Sequence, residues 1–328
     1  MKKILVTGGL GFIGSCFVLR QIKAGNIVVN LDAITYAANK ENLKEVESNK
    51  NYHFFHGNIL ESKLVSKILE KFDIDYLVNF AAESHVDNSI SNPDAFIQTN
   101  INGTFSLLDA AYKYWQNLKG ITKEEFRFVH ISTDEVYGSL TLEDPKFTEE
   151  NKYLPNSPYS ASKAASDHLV RAWNETYKLP TIITNCSNNF GARQHSEKLI
   201  PTVIRSALAG KNIPIYGNGK NIRDWIYVED HCAGIELAIA QGKIGESYCF
   251  GGDAERQNID IAKQICKILD ELKPKKSGSY QDQITFVEDR KGHDFRYAID
   301  SSKAKKKLGF KLEGTFEEKL LTTVKYYL

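Results

Sequence analysis

Ile4-Leu5-Val6-Thr7-Gly8-Gly9-Leu10-Gly11-Phe12-Ile13-Gly14 opens the chain with an apolar run that stops at glycines and turns helical. Such a run predicts a short buried strand. Gly8, Gly11 and Gly14 follow with even spacing at the strand-to-helix turn. Glycines permit a tight turn and a close approach of backbone to pyrophosphate, and the N-terminus of the next helix favours negative charge. Alone, such glycines mark only a turn and a helix entry. A carboxylate, Asp32, stands just after the next apolar run, Ile27–Leu31. There it accepts hydrogen bonds from an adenosine ribose and repels a 2′-phosphate. Together the two features predict a dinucleotide site that takes NAD rather than NADP.

Outward from this start, apolar runs and helical patterns alternate. Strands are expected at Ile4–Thr7, Ile27–Leu31, Tyr52–His56, Tyr76–Phe80, Phe126–Ser132 and Thr181–Asn185. Helices are expected at Ile13–Ala24, Leu60–Phe72, Pro93–Trp115 and Pro158–Tyr177. This alternation implies βαβ units, right-handed crossovers and an α/β fold with a doubly wound parallel (Rossmann) sheet. After Ser187 the regularity fades. Strands are expected at Ile213–Tyr216, Trp225–Tyr227, Tyr248–Gly251 and Thr285–Val287, and helices at Leu199–Ala209, Val228–Gln241, Ile259–Leu272 and Ser301–Leu308. Lys273–Gln283 reads as an exposed loop and Lys303–Lys307 as a solvated helix face. The expected plan is a dinucleotide-binding domain over 1–186 and a smaller, irregular α/β substrate lobe over 187–328. Parts of that lobe, about 225–251, return to the main sheet.

Composition narrows the classes. Among 328 residues, 42 Lys and Arg balance 41 Asp and Glu, so the net charge of +1 points to neither nucleic acid nor a membrane surface. The five cysteines are scattered, with neither a disulfide framework nor metal-ligand spacing, which predicts a reducing, cytoplasmic setting and no metal. No apolar window is long enough to cross a membrane, and the first apolar run is too short for a signal peptide.

The chemistry is carried by two stretches. In Tyr159-Ser160-Ala161-Ser162-Lys163, preceded by Asn156-Ser157-Pro158, Tyr159 and Lys163 fall on one helix face. A free phenol titrates near ~10, and a neighbouring ammonium favours the phenolate, so the pair suits a general base. Ser132-Thr133-Asp134-Glu135-Val136-Tyr137-Gly138 ends the fifth expected strand, on the edge where such sheets keep their chemistry. A hydroxyl at Thr133 can orient a substrate hydroxyl. Asp134 and Glu135 are expected to face a partly buried cleft, where burial and like charge separate an acid from a base. A plain alcohol dehydrogenase needs neither carboxylate, whereas a dehydratase needs both.

These residues resemble the extended short-chain dehydrogenase/reductases and, within them, the dTDP-glucose 4,6-dehydratases. The resemblance runs through Ala81-Ala82-Glu83-Ser84-His85-Val86-Asp87, Ser187-Asn188-Asn189-Phe190-Gly191, Glu197-Lys198-Leu199-Ile200-Pro201, Arg223-Asp224-Trp225 and Gly292-His293-Asp294-Phe295-Arg296-Tyr297. It implies a catalytic set of Thr133, Asp134, Glu135, Tyr159 and Lys163. It implies that NAD is held by Gly8, Gly11, Phe12, Ile13, Gly14, Asp32, Ala33, Ile34, Thr35, Asn58, Ile59, Phe80, Ala81, Ala82, Ser84, Thr99, Tyr159, Lys163 and Asn189. It further implies a nucleotide-sugar site from Ser84, Thr133, Asn188, Lys198, Leu199, Pro214, Ile215, Tyr216, Arg223, Asn258, His293 and Tyr297. A homodimer, joined near Pro93–Trp115 and Tyr159–Tyr177, is implied as well. Arg223 suits a diphosphate because its fork can bond two oxygens at once. The chain departs from the family pattern at Ala33, Asn58, Asn88, Ala192-Arg193, Lys291 and Phe295.

The expected activity is therefore NAD-dependent dehydration of a nucleotide-activated hexose, dTDP-glucose in first place, to the 4-keto-6-deoxy sugar. Dehydration of UDP-glucose or another nucleotide sugar is the alternative; a 4-epimerase, a reductase and a non-catalytic dinucleotide sensor are the rivals. His53-Phe54-Phe55-His56 is no metal pair, since residues three apart on a strand point to opposite faces, and core packing is expected for it. The other histidines, His85 among them, are read as structural.

Overall fold

The computed structural model describes residues 1–328. Its strands are β1 (Lys3–Thr7), β2 (Ile27–Asp32), β3 (Tyr52–His56), β4 (Tyr76–Asn79), β5 (Arg127–Thr133), β6 (Thr181–Cys186), β7 (Asn188–Phe190), β8 (Ile213–Tyr216), β9 (Ile222–Tyr227), β10 (Ser247–Phe250), β11 (Glu255–Gln257) and β12 (Ile284–Val287). Seven of them form one sheet in the order β10-β6-β5-β4-β1-β2-β3, with every pairing parallel. The order reverses direction between β1 and β4, which opens a crevice beyond their carboxyl ends. Two small sheets, β11-β9-β7 and β12-β8, stand apart from the large sheet, and β7 reaches the crevice with Asn188 and Asn189.

A parallel sheet must be covered on both faces, and the alternation along β1 shows how. Ile4 and Val6 point into one core with Phe17, Val18, Ile235 and Phe310. Leu5 points into the opposite core with Ile68, Leu107, Phe128 and Val170. All of these are at most 2 % exposed, and each such side chain contributes about 1.5–3 kcal/mol by leaving water. A third core, with Ile204, Ile215, Ile261 and Leu320, lies under the small sheets. The helix Pro158–Tyr177 starts where Ser157 and Ser160 cap each other reciprocally and Pro158 takes the first turn; it stops at Lys178, whose φ is 61°.

Several expectations need correction. Pro93–Trp115 is not one α-helix: Asp94–Phe96 passes into a π-helical stretch, Ile97–Gly103, before Thr104–Asn117. The wide turn puts Asn100 where its amide bonds both the N–H and the C=O of Glu83, and it lets Gly103 pack where a Cβ would strike Ile59. Lys273–Gln283 is not simply an exposed loop. Tyr280 is buried at 6 % exposure, and the Gln283 amide donates to the Ser206, Ala207 and Lys211 carbonyls. His53 and His56 are not core residues, because β3 is an edge strand: His53 is half-buried against Phe72 and His56 is exposed. Within 225–251, the helix Val228–Gln241 and β10 pack with the large sheet, while β9 belongs to a small one. The strands β7 and β11 and the helices Val86–Ser91, Gly120–Glu125 and Phe316–Tyr326 were not anticipated.

Candidate active site

The cleft beyond β1 and β4 begins with backbone. Gly8 has φ 72°, and a Cβ on it would come within 2.8 Å of the Ala81 backbone. A Cβ on Gly14 would collide with the Gly8 carbonyl. The helix Phe12–Lys23 has no side-chain cap, so its first-turn N–H groups remain available to an anion where Gly11, Phe12, Ile13 and Gly14 line the cleft. Asp32 is 6 % exposed; its two oxygens accept from Leu10 N at 2.9 Å and Ile34 N at 2.8 Å. Burial pushes its carboxyl up, against those two bonds. Ala33, Thr35, Asn58, Ile59, Phe80, Ala81, Ala82, Ser84, Thr99 and Asn189 line the same cleft. Ile34 does not; its role is to tie the turn by donating to Asp32. The Asn58 oxygen accepts from Leu60 N at 2.9 Å, so it caps its own turn.

The opposite end of the cleft is built from buried side chains. Thr133, Glu135, Tyr159 and Lys163 line it together with Asn188 and Lys198. Asp134 does not face the cleft as expected. It lies behind Thr133 at 1 % exposure; its Oδ1 is 3.3 Å from Thr133 Oγ1 and its Oδ2 has no hydrogen-bond partner. The two adjacent carboxyls differ in their surroundings. Burial raises both. Asp134 is raised further by the Glu135 and Asp224 carboxylates, with only Arg223 among the charges opposing. Glu135 faces three cations, Arg223, Lys198 and Arg290, that pull it back down. The Tyr159 phenol is held well above its ordinary value by burial and then by Glu135, while a bond from Thr133 acts the other way. The expected lowering of the Tyr159 phenol is thus not met: burial and the Glu135 carboxylate raise it.

The remaining expected residues stand along the small sheets. Lys198 reaches the Ser84 carbonyl at 3.0 Å. Leu199 opens the helix Leu199–Leu208. Pro214 and Tyr216 are on the exposed side of β8 and Ile215 on the buried side. Tyr216 donates to Asp87 at 3.2 Å, beside Arg290 on the same carboxylate. His293 pairs with Asp289 at 2.6 Å. Asn258 starts the helix Asn258–Leu272 with its Oδ1 unpartnered. The Arg223 fork is engaged by the Ile222, Asp294 and Phe295 carbonyls and lies over the Tyr297 ring at 4.2 Å. The cleft also takes in Glu83, Cys186, Gln194, His195 and Glu197, which were not singled out. Glu197 had a signal, its place next to Lys198; Cys186 had one beside Ser187-Asn188. No group of His, Cys, Asp and Glu is placed to hold a metal.

The family description "GDP-mannose 4,6 dehydratase" matches residues 5–323. A dTDP-glucose 4,6-dehydratase from Xanthomonas campestris pv. campestris (strain B100) is 53% identical over 329 residues, covering 100% of this chain and 93% of the relative. One from Haemophilus influenzae is 52% identical, covering 100% and 98%. The crystal structure of DesIV, a dTDP-glucose 4,6-dehydratase from Streptomyces venezuelae with NAD and TYD bound, superposes with a TM-score of 0.89. It is 42% identical, and the match covers 99% of this chain and 96% of that one. Fold, cleft and relatives agree: the chain belongs to the dTDP-glucose 4,6-dehydratases of the extended short-chain dehydrogenase/reductase family.

Proposed function

We propose that this cleft carries out the reaction its relatives are named for, the NAD-dependent dehydration of dTDP-glucose to the 4-keto-6-deoxy sugar. The observation that carries the reading is the contrast between two buried neighbours: Asp134 lies behind Thr133 and is raised further by Glu135 and Asp224, while Glu135 lines the cleft and is drawn back by Arg223, Lys198 and Arg290 against Asp294. Two carboxyls pushed apart in this way identify an acid and a base. The uncapped helix end and the glycine turn fit a dinucleotide pyrophosphate, and Asp32 fits the ribose of NAD. When bound, NAD supplies an acceptor for the hydride leaving C4, returns that hydride to C6, and brings a positive ring charge that favours a phenolate.

The residues do the rest. Thr133 orients the C4 hydroxyl, and Tyr159 takes its proton. The C4 ketone acidifies C5, and Glu135 removes that proton. Asp134, its carboxyl raised by burial and then by Glu135 and Asp224, acts from behind through Thr133: the Thr133 hydroxyl gives its proton to the departing C6 hydroxyl and takes one from Asp134, and water leaves. Glu135 then returns a proton to C5. Asn188, Lys198, Arg223, Asn258 and His293 hold the nucleotide diphosphate from the lobe side. The chain divides near Ser187 into a cofactor-binding domain and this lobe. The protein acts in the cytoplasm, consistent with its five free, buried cysteines. It pairs as a homodimer through the outer face that exposes Ile97, Phe105 and Tyr177 around Trp173.

Substrate deuterated at C4 tests the reading. The label is expected at C6 of the product without added reductant, with solvent hydrogen at C5. Label returned to C4 would indicate an epimerase, and label lost to free NADH a reductase.

A further inference from the structure

Behind the cleft, helix Pro158–Tyr177 carries Tyr159, Lys163 and Asp167 at four-residue intervals, so the three share one face. All are buried, at 9 %, 3 % and 1 % exposure. Lys163 has one close acceptor, the Ile131 carbonyl at 2.7 Å. One acceptor is little for a buried ammonium, which holds its proton only if a negative charge lies close. Asp167 is the charge that acts most strongly on it, across His130 rather than in a direct ion pair, and Lys163 in turn opposes the raising of the Asp167 carboxyl by burial. Its Oδ2 accepts from Ser132 at 2.7 Å and Tyr153 at 2.9 Å. Its Oδ1 is buried without a hydrogen bond and faces His130 Nε2 at 3.4 Å, and the same Nε2 is 3.4 Å from Lys163 Nζ.

His130 is held in turn by a chain of bonds. Ala81 N–H donates to Thr7, the Thr7 hydroxyl to the Asn79 oxygen at 2.6 Å, and the Asn79 amide to His130 Nδ1 at 3.2 Å. With Nδ1 accepting, the proton lies on Nε2 and goes to Ser166, while Asp167 Oδ1 stands 3.4 Å away without a hydrogen bond. His130 is therefore a neutral wedge between ammonium and carboxylate. Burial and Lys163 both keep it neutral. For Lys163, burial acts downward and Asp167 is the largest influence upward.

We propose that Asp167, held by Ser132 and Tyr153 on the far side of His130, is the buried counter-charge of Lys163, and that it governs how readily Tyr159 gives up and takes back its proton. The proposal rests on the roles given to Tyr159 and Lys163 above. Asp167 does not line the cleft, so it is a positioning residue. The titratable groups facing this line are His130, Asp134 and Glu135 from β5 and the turn after it, Tyr153 from the loop before the helix, and Cys186 from β6.

The test is Asp167→Asn in the full chain with its cofactor, with kcat and KM followed from about pH 6 to about pH 10. Without its counter-charge Lys163 sheds its proton, and Tyr159 loses the cation that favours phenolate. The acidic limb of kcat is expected to move up by about one pH unit or more, roughly a tenfold loss near neutrality that is recovered at alkaline pH. KM should stay as it was. Asp167→Glu keeps the charge and should move the limb less, in the same direction. A limb that stays in place or moves down overturns the proposal, as does a pH-independent loss of rate. Should Asp167→Asn not fold, Asp167→Glu decides: a small upward displacement supports the proposal and an unmoved limb refutes it. Tyr159→Phe separates the two levels. If it retains dehydration, the underlying reading of Tyr159 fails; if it is inactive while the Asp167→Asn limb is unmoved, only the counter-charge fails.

Discussion

The two ends of the cleft are made of different material. At the end of β1 the walls are backbone: Gly8 and Gly14 sit where no Cβ fits, and the sole carboxylate, Asp32, has both oxygens on backbone N–H groups. At the end of β5 the walls are buried side chains, Thr133, Glu135, Tyr159 and Lys163, with Asp134 behind them, and burial displaces almost every titration. The first end can recognise a ligand without changing charge state. The second can exchange protons because burial and neighbours set its groups apart. Substitutions at one end should alter binding, and at the other, rate.

The largest effect that would break this contrast is expected at the carboxyls. Glu135→Gln and Asp134→Asn keep shape and remove proton transfer, and each should lower kcat by roughly 10² to 10⁴-fold. Oxidation at C4 survives better than elimination, so NADH absorbance should build up on the enzyme. Near wild-type dehydration in either variant would remove that residue from its role.

A smaller effect is expected at the backbone end. Asp32→Ala removes a charged acceptor for the ribose and loosens the turn through Leu10 and Ile34. NAD affinity should fall by about 1.5–3 kcal/mol, roughly 10- to 100-fold, with discrimination against NADP relaxed and kcat at saturation nearly kept. Calorimetric titration with both cofactors checks this; a wild-type protein that prefers NADP would contradict it.

The smallest concerns His231, fully buried and bonded to the Asn189 oxygen at 3.0 Å. Burial lowers its pKa to about 3. In the unfolded chain it titrates near ~6.5, so between those values the unfolded state binds the extra proton and stability falls as pH falls. At about pH 5.5 this one residue costs roughly 1.4 kcal/mol. His231→Asn should therefore lose less stability than the wild type between about pH 7 and about pH 5.5 in denaturant melts. Parallel losses in the two proteins would refute the assignment.

The sequence revealed the backbone end well, because its signals are local. A strand and three glycines lie within one βα turn, Asp32 ends the next strand of the same βαβ unit, and Ser157-Pro158 announces the helix that presents Tyr159 and Lys163. The opposite wall was harder to read. Asp134 and Glu135 are neighbours, yet the short 3₁₀ turn Asp134–Tyr137 sends one behind the cleft and the other into it. Two of the three carbonyls that engage Arg223 come from Asp294 and Phe295, far along the chain. Strands β7 and β11 have three residues each, too few for any periodicity to appear. The cations that set Glu135 apart, Lys198, Arg223 and Arg290, are brought to it only by the fold.

The position of β10 bears on how the chain is made. Its partner β6 ends at Cys186, and β10 does not begin until Ser247. While the ribosome is still delivering the intervening residues, β6 shows one unpaired edge, although all six of its residues are buried in the finished protein. The core around Phe17 and Val18 meanwhile waits for Ile226, Ile235 and Phe250. An open apolar edge of this kind is a template for pairing with other chains. A nascent chain that stalls before Ser247 therefore leaves the ribosome with its largest sheet unsealed, a natural client for chaperones.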